Sequence, residues 1–132
     1  MLMDKNTRET YNKYIPRLFK YLKEKKYTVG PAPKVRLDNS EQDDKVFMRT
    51  GYYDPEKKII VLFTNGRAIK DVLRSFAHEC VHHKQNVEGR LHEGAYDGDR
   101  IVDDKKLIML EGEAYLYGNI GFRSWTEEEK KR

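Results

Sequence analysis

The chain has 132 residues, a length that suits one compact domain with a modest hydrophobic core. Hydrophobic residues make up 38% of the sequence and charged residues 36%, and no apolar stretch is long enough to resemble a membrane span. The net charge is +4, but glutamates are mixed among the short lysine runs, so a solvated surface is favoured and nucleic-acid binding is not indicated.

The first predicted element is an amphipathic helix over residues 7–26. Apolar residues recur there at helical spacing, with lysines between them: Tyr11, Ile15, Leu18, Phe19 and Leu22. Pro16 is tolerated in this helix as a kink, or it marks the true start of the helix. The Gly-Pro-Ala-Pro sequence at 30–33 predicts a stiff connector after the helix.

Three strands are predicted next, forming a small, twisted and mostly antiparallel sheet. Residues 35–37 alternate in polarity and predict a short strand, and residues 46–53 and 58–63 predict two more. The Asp-Pro-Glu-Lys sequence at 54–57 predicts the turn between the last two strands. Residues 59–63 are apolar throughout, which indicates a strand that is central in the sheet or covered on both faces.

A long helix is predicted over residues 67–88, with Gly89 as its stop. Its core stripe consists of Ile69, Val72, Leu73, Phe76, Cys80 and Val87. The neighbouring stripe carries Ser75, His78, His82 and Gln85. The two histidines are therefore expected at the edge of the core, where a half-buried metal site can form.

This helix contains an HExxH pentad, His78-Glu79-Cys80-Val81-His82. Two histidines four residues apart lie on one helix face, so their rings can close on one small cation, usually zinc. Glu79, beside the first histidine, is the expected general base for a water molecule held at the cation. Cys80 faces away and is expected to be a small core residue. The pentad therefore predicts one catalytic zinc ion bound by His78 and His82.

The rest of the chain is predicted as a loop over residues 90–104, a helix over 104–120 and a polar tail over 124–132. The loop contains two glycines and many charges, and it is long enough to be functional. The tail holds the only tryptophan, Trp125. Together these elements predict a single domain over residues 1–132.

A catalytic zinc site needs a third protein ligand, and several residues can supply it. Glu111 is favoured because it shares a face of the last helix with Ala114 and Gly118, whose small size lets that helix approach the histidines. Glu113, on a different face of the same helix, is the main alternative. His92 is another, since the loop can swing it back toward the metal.

A second donor is expected to hold the oxyanion that forms during attack on a carbonyl. The candidates are Tyr115, His83, Tyr96 and Tyr117, and the sequence does not rank them. The chain has nine tyrosines, so one near the site is expected by chance alone.

A strand, a helix with HExxH and a glutamate on the following helix resemble the zincin metallopeptidases. The sequence Glu111-Gly112-Glu113-Ala114 is similar to the Glu-x-x-Ala motif that carries the third ligand in the gluzincin branch. The length and element order resemble the minimal gluzincins and the SprT-like and ImmA-like zincin domains, over residues 51–118.

The resemblance implies an α+β, zincin-like fold, with an N-terminal helix, a small sheet, the HExxH helix and a C-terminal helix that carries the third ligand. It implies His78, His82 and Glu111 as zinc ligands and Glu79 as the general base. A SprT-like pattern would instead take a histidine from the loop, which here is His92. In zincins the strand before the active helix binds the substrate backbone, and this implies that residues 46–53 or 59–63 do so here.

The sequence thus predicts a small zinc metallopeptidase that hydrolyses peptide bonds with a zinc-bound water activated by Glu79. The alternative is a regulatory or nucleic-acid-associated module of the same fold, with narrow or no proteolytic activity. The N-terminus lacks the apolar core of a signal peptide, and one cysteine cannot form an internal disulfide. We therefore expect a cytoplasmic monomer, cellular or viral, that acts on peptides or proteins and does not bind membranes.

Overall fold

The computed structural model describes residues 3–42, 50–91 and 105–132. Over these ranges the fold is α+β, with three helices and a three-stranded mixed sheet. The helices are α1 (Lys5–Glu24), α2 (Ile69–Val87) and α3 (Lys105–Lys130), and the strands are β1 (Lys34–Asp38), β2 (Gly51–Asp54) and β3 (Ile59–Phe63).

Helix α1 is capped at its N-terminus by Asp4, whose side chain accepts a hydrogen bond from the backbone N–H of Thr7. A side-chain cap of this kind satisfies one of the donors left over in the first turn. Pro16 lies inside the helix, so it does not mark the start. The buried face of α1 carries Tyr11, Leu18 and Leu22, which join the hydrophobic core.

The sheet has the strand order β1-β3-β2, so β3 is the central strand, as its apolar sequence indicated. Strand β2 pairs with β3 antiparallel, whereas β1 pairs with β3 parallel. The prediction of a mostly antiparallel sheet was therefore wrong. A turn sequence fixes the direction of the hairpin that it closes, but no local signal fixes the direction of β1, which joins β3 from the other edge.

The β2–β3 turn forms where the sequence predicted it. The Asp54 carboxylate accepts hydrogen bonds from the backbone N–H groups of Glu56 and Lys57. Lys58 has a positive φ of 55° and leads into β3. Strand β2 begins at Gly51, and residues 46–49, the first part of the longer strand predicted over 46–53, lie outside the described residues.

Helix α3 continues well past the end predicted for it. Residues 124–130, expected to open a polar tail, are helical. Trp125 is buried and packs edge-on against Tyr14 of α1, with 5.8 Å between the ring centroids. Arg17 of α1 donates three hydrogen bonds to the Glu129 carboxylate, the two shortest at 2.8 and 2.9 Å. These contacts with α1 stabilise as helix a segment whose composition alone predicted a polar tail.

The hydrophobic core lies between the sheet and the three helices. Its largest fully buried apolar side chains include Tyr11, Leu18, Tyr53, Ile60 and Phe76. Cys80 is also fully buried in this core, as predicted. Within the described ranges, no helix has the length and apolar character needed to cross a bilayer.

Candidate metal centre

Helix α2 is held at the centre of the molecule from its first turn. The Arg67 guanidinium, just before the helix, donates to the backbone oxygens of Thr50, Phe63 and Asp71 and to the Ser75 hydroxyl. These bonds fix the start of α2 to the end of β3. Residues from Val72 to Gln85 are then mostly buried, so the pentad lies on a rigid element.

The structure brings His78, His82 and Glu111 together between α2 and α3. The Nε2 atom of His82 lies 2.6 Å from Oε1 of Glu111, and Nε2 of His78 lies 3.5 Å from Oε2 of the same carboxylate. The two imidazole rings meet edge to face, 4.9 Å apart. One carboxylate therefore faces both histidines of the pentad.

Glu79 completes the cluster on the side of α2. Its carboxylate and the rings of His78 and His82 each offer one ligand atom, and these three atoms lie within 4.8 Å of one another. Glu79 is only 4% exposed, and its Oε1 is a buried atom with no hydrogen-bond partner among the described residues. A buried carboxylate oxygen without a partner is costly in a merely structural role.

The close approach of α3 depends on Gly118. A Cβ atom at this position would lie 2.8 Å from the Cα of His78 and 3.0 Å from its backbone nitrogen. Ala114, one turn earlier on α3, is fully buried. The expectation that a small residue lets α3 approach the histidines is confirmed at Gly118.

Gln85 fixes the orientation of His82, a role that the sequence analysis did not assign. The amide nitrogen of Gln85 donates to the backbone oxygen of Leu110, at 2.9 Å, and to Glu113, at 3.2 Å. Its amide oxygen therefore faces Nδ1 of His82, at 2.8 Å. His82 then carries a proton on Nδ1, and its Nε2 is directed at Glu111. The sequence could have indicated this role, because Gln85 lies one turn after His82 on the same stripe of the helix.

A neutral His82 in this tautomer places a lone pair opposite a carboxylate oxygen, which is unfavourable. Either a proton or a metal ion between the two atoms relieves the repulsion. The pKa of His82 reflects the proton: burial lowers this pKa, but the hydrogen bond that protonated His82 donates to Glu111 and the charge of Glu79 raise it above its ordinary value overall. Burial alone would raise the pKa of Glu111, yet its bonds with His78 and His82 hold it at about 2.

The donor chemistry fits zinc. Two imidazole nitrogens and one carboxylate oxygen are a ligand set of catalytic zinc sites. Glu111 stays ionised, and Gln85 presents Nε2 of His82, so both are prepared as ligands. Burial raises the pKa of Glu79, and the nearby histidines lower it less, so this carboxyl group is suited to exchanging protons.

Of the two alternative third ligands, Glu113 is not supported by the geometry. Glu113 accepts two hydrogen bonds from Arg90, at 2.7 and 2.8 Å, and a third from Gln85. Its carboxylate thus closes a separate ion pair on the other side of Gln85. His92 lies outside the described residues.

The candidate oxyanion donors fall in different places. The ring of Tyr115 lies 4.4 Å from the ring of His78, centroid to centroid, and burial and the charges of Glu111 and Glu79 raise its pKa. Tyr115 therefore borders the candidate metal centre. Tyr117 stacks on Tyr27 instead, and Tyr96 lies outside the described residues.

His83 does not belong to this cluster. Its Nε2 lies 2.8 Å from the backbone oxygen of Pro31, and its Nδ1 lies 2.8 Å from the hydroxyl of Tyr53. Both ring nitrogens are engaged on the sheet side of α2, where His83 is fully buried. Its suggested role at the oxyanion gains no support from this position.

No protein-family model matches this chain, and neither the curated proteins nor the solved structures compared with it include a match. The zincin resemblance therefore remains a prediction from the motif.

Proposed function

We propose that this protein is a small zinc-dependent metallopeptidase, with His78, His82 and Glu111 as zinc ligands and Glu79 as the general base. One observation carries the proposal. The carboxylate of Glu111, from a separate helix, faces both histidines of the pentad within 3.5 Å. The pentad alone is a local pattern, whereas this convergence requires the whole tertiary structure.

When bound, a zinc ion supplies Lewis acidity, which polarises a carbonyl group and makes a water molecule more acidic. The other tasks belong to the chain. Glu79 accepts the proton of the attacking water in its buried position and delivers that proton to the leaving amine. Gln85 keeps the His82 ring in one tautomer and one orientation, as partners of metal-bound histidines commonly do. Tyr115, beside His78, is the donor best positioned to hold the oxyanion.

A catalytic rather than a structural site is supported by the ligand count. Structural zinc sites usually close all four positions, often with cysteines. The only cysteine, Cys80, lies in the hydrophobic core, and burial raises its pKa well above the ordinary value. The cluster offers three protein ligands and a neighbouring carboxylate, which leaves a coordination position for a reactant.

The test is the Glu79→Gln variant, which removes the base and keeps the shape of the side chain. We expect it to retain zinc at the level of the unmodified protein, measured by mass spectrometry of the metal content. Hydrolysis of a denatured protein substrate should fall by about 100-fold or more, the size of a general-base contribution. Glu128→Gln is the matched control, since Glu128 is an exposed glutamate of α3 that pairs with Lys131 far along the helix from the cluster, and it should leave hydrolysis unchanged.

Unchanged hydrolysis in the Glu79→Gln variant would contradict the mechanism. Absence of bound zinc in the unmodified protein, after purification without chelators and exposure to zinc, would contradict the metal assignment.

A further inference from the structure

Helix α3 exposes an unusual number of large apolar side chains. Ile108, Met109, Tyr115, Leu116 and Ile120 are all exposed, Met109 to 74% and Tyr115 to 61%. In the part of the chain that the structure describes, most of the exposed large hydrophobic residues belong to this one helix. A contiguous apolar surface of this kind usually marks a binding site.

These residues form one surface, which we name the outer α3 face and define as Ile108, Met109, Gly112, Tyr115, Leu116 and Ile120. At about 100° per residue, Tyr115 and Ile108 lie about 40° and 60° around the helix from Glu111. Leu116 and Met109 follow farther round, at about 140° and 160°. The outer α3 face therefore begins beside the metal ligand and extends away from it without a charged residue in between.

One contact ties this face to the proposed metal centre. The Tyr115 ring lies against the ring of His78, with 4.4 Å between the centroids. Gly112, next to Glu111 in the chain, has no non-neighbouring atom within 4 Å of the Cβ position, so the space there is open. A polypeptide that reaches the metal centre along α3 must therefore cross apolar surface.

We propose that the outer α3 face binds an apolar stretch of the polypeptide that is cleaved, with large apolar side chains on one side of the scissile bond. This inference rests on the proposed function and specifies its substrate class. Polypeptides expose such stretches when they are unfolded or when an apolar segment is unpaired. The enzyme thus selects its substrates by apolar residues close to the cut rather than by charge.

The substrate is a better occupant of this face than a second copy of the chain. A second copy packed on Tyr115 and Ile108 would lie directly beside Glu111 and obstruct the approach to the metal centre. A cleaved polypeptide, in contrast, has to pass this position. Continuity between the face and the metal centre is therefore expected of a substrate-binding surface.

Binding is measured separately from cleavage by using the zinc-loaded Glu79→Gln protein, which holds substrate without turnover. The probes are two fluorescein-labelled peptides of equal length and charge, one with three consecutive large apolar residues and one with serine and glutamine in their place. Fluorescence anisotropy should give a Kd about tenfold or more lower for the apolar peptide. The Met109→Ser/Leu116→Ser double variant should remove that difference.

The double variant alters exposed residues, so its thermal midpoint and zinc content should match those of the parent protein. Val87→Ser is the matched control, because Val87 is an exposed apolar residue on α2 and outside the outer α3 face. It should leave the preference for the apolar peptide intact. A parallel digest of a denatured protein mixture by the unmodified enzyme should show large apolar residues enriched on one side of the cleaved bonds.

Equal binding of the two peptides, or no binding of either, would overturn the inference whatever the enzyme's activity. So would a concentration-dependent dimer that the double variant abolishes, since the face would then belong to a second copy. Preference for the apolar peptide without any hydrolysis by the unmodified enzyme would instead support the docking surface and contradict the proposed function. The two ideas can therefore fail separately.

Discussion

His82 and His83 are neighbours in the chain, and both are fully buried, yet they occupy two very different environments. On the sheet side of α2, His83 donates from Nε2 to Pro31 and accepts at Nδ1 from the Tyr53 hydroxyl, which itself accepts from Asn86. A neutral ring has one donor and one acceptor, so His83 is satisfied by the protein alone. On the α3 side, His82 turns Nε2 toward a carboxylate and another histidine.

Burial therefore does not distinguish a histidine that the protein alone satisfies from a candidate metal ligand. What matters is the group that the second ring nitrogen meets. A carbonyl oxygen and a hydroxyl complete a neutral ring, whereas a carboxylate facing a lone pair needs a proton or a metal ion between the two atoms. This contrast between the two sides of α2 leads to five predictions.

The largest expected effect is the loss of zinc in the His82→Ala variant, measured by mass spectrometry of the metal content. His83→Ala is its matched control, because the two residues are adjacent and equally buried. We expect His83→Ala to retain zinc but to lower the free energy of unfolding by about 1–3 kcal/mol, since Tyr53 and Pro31 lose their buried partner. If both variants lost zinc at an equal folded fraction, the result would contradict the assignment of different roles to His82 and His83.

The second prediction compares the two glutamates of α3. Glu111→Ala should lose zinc, whereas Glu113→Ala should retain it, because Glu113 is paired with Arg90. The Arg90 pair is partly exposed, so its removal should cost less than about 1 kcal/mol of unfolding free energy. Zinc content and denaturant unfolding measure the two effects. Retention of zinc by Glu111→Ala would contradict the ligand set.

A smaller effect is expected from Gln85→Leu, which keeps the volume of the side chain and removes its hydrogen bonds. The zinc affinity should fall by about 10–100-fold, the usual cost of losing a partner that orients a ligand histidine. Competition with a chromophoric chelator measures this change. Asn86→Leu is the control on the sheet side, where the lost bonds go to Tyr53 and Pro55, and it should not alter zinc affinity.

Gly118→Ala tests the spacing between the helices. The new methyl group would meet the His78 backbone at 2.8 Å, so α3 must move away. We expect a loss of about 1–3 kcal/mol in unfolding free energy, together with weaker zinc binding. Gly112→Ala adds a methyl group with nothing within 4 Å and should stabilise the helix by about 0.5–1 kcal/mol. Equal effects of the two substitutions would contradict the close approach.

The smallest effect is a pH dependence with opposite sign on the two sides of α2, in metal-free protein. The folded-state pKa of His82 is raised, so its stabilising contribution is complete below the ordinary value of 6.5 and is lost as the pH rises through the raised value. Burial lowers the pKa of His83 below 6.5, so its contribution is complete above 6.5 and is lost as the pH falls.

Denaturant unfolding between about pH 7.5 and pH 5.5 checks these signs. On acidification, the stability difference between the parent protein and His82→Ala should grow, and the difference for His83→Ala should shrink. Parallel changes in the two variants would show that the environments do not differ as described.

The features that were predictable from the sequence are those that short-range sequence patterns determine. Helix periodicity gives the HExxH face of α2, and the small residues at 114 and 118 pointed to Glu111 over Glu113. The turn at Asp54 and the central position of β3 were also readable, because local hydrogen bonds and apolar composition determine them. These features depend on neighbours in the sequence.

The features that escaped prediction depend on distant partners. The parallel pairing of β1 is set by how the whole sheet assembles. The contact of Gln85 with the backbone of Leu110 exists only once α3 has docked. The helical state of residues 124–130 requires α1, which offers Tyr14 to Trp125 and Arg17 to Glu129. No pattern within these segments encodes a partner so far away in the chain.

The far end of α3 has a mechanical consequence for the metal centre. The Arg17–Glu129 ion pair lies about 27 Å from Glu111 along the axis of α3, at about 1.5 Å per residue. A tilt of only about 2° about that end would move the Glu111 carboxylate by about 1 Å, more than the roughly 0.5 Å that a ligand constellation tolerates. Helix α1 supplies no candidate ligand. Its contacts with Trp125 and Glu129 nevertheless fix the orientation of α3, and this orientation keeps Glu111 beside the histidines.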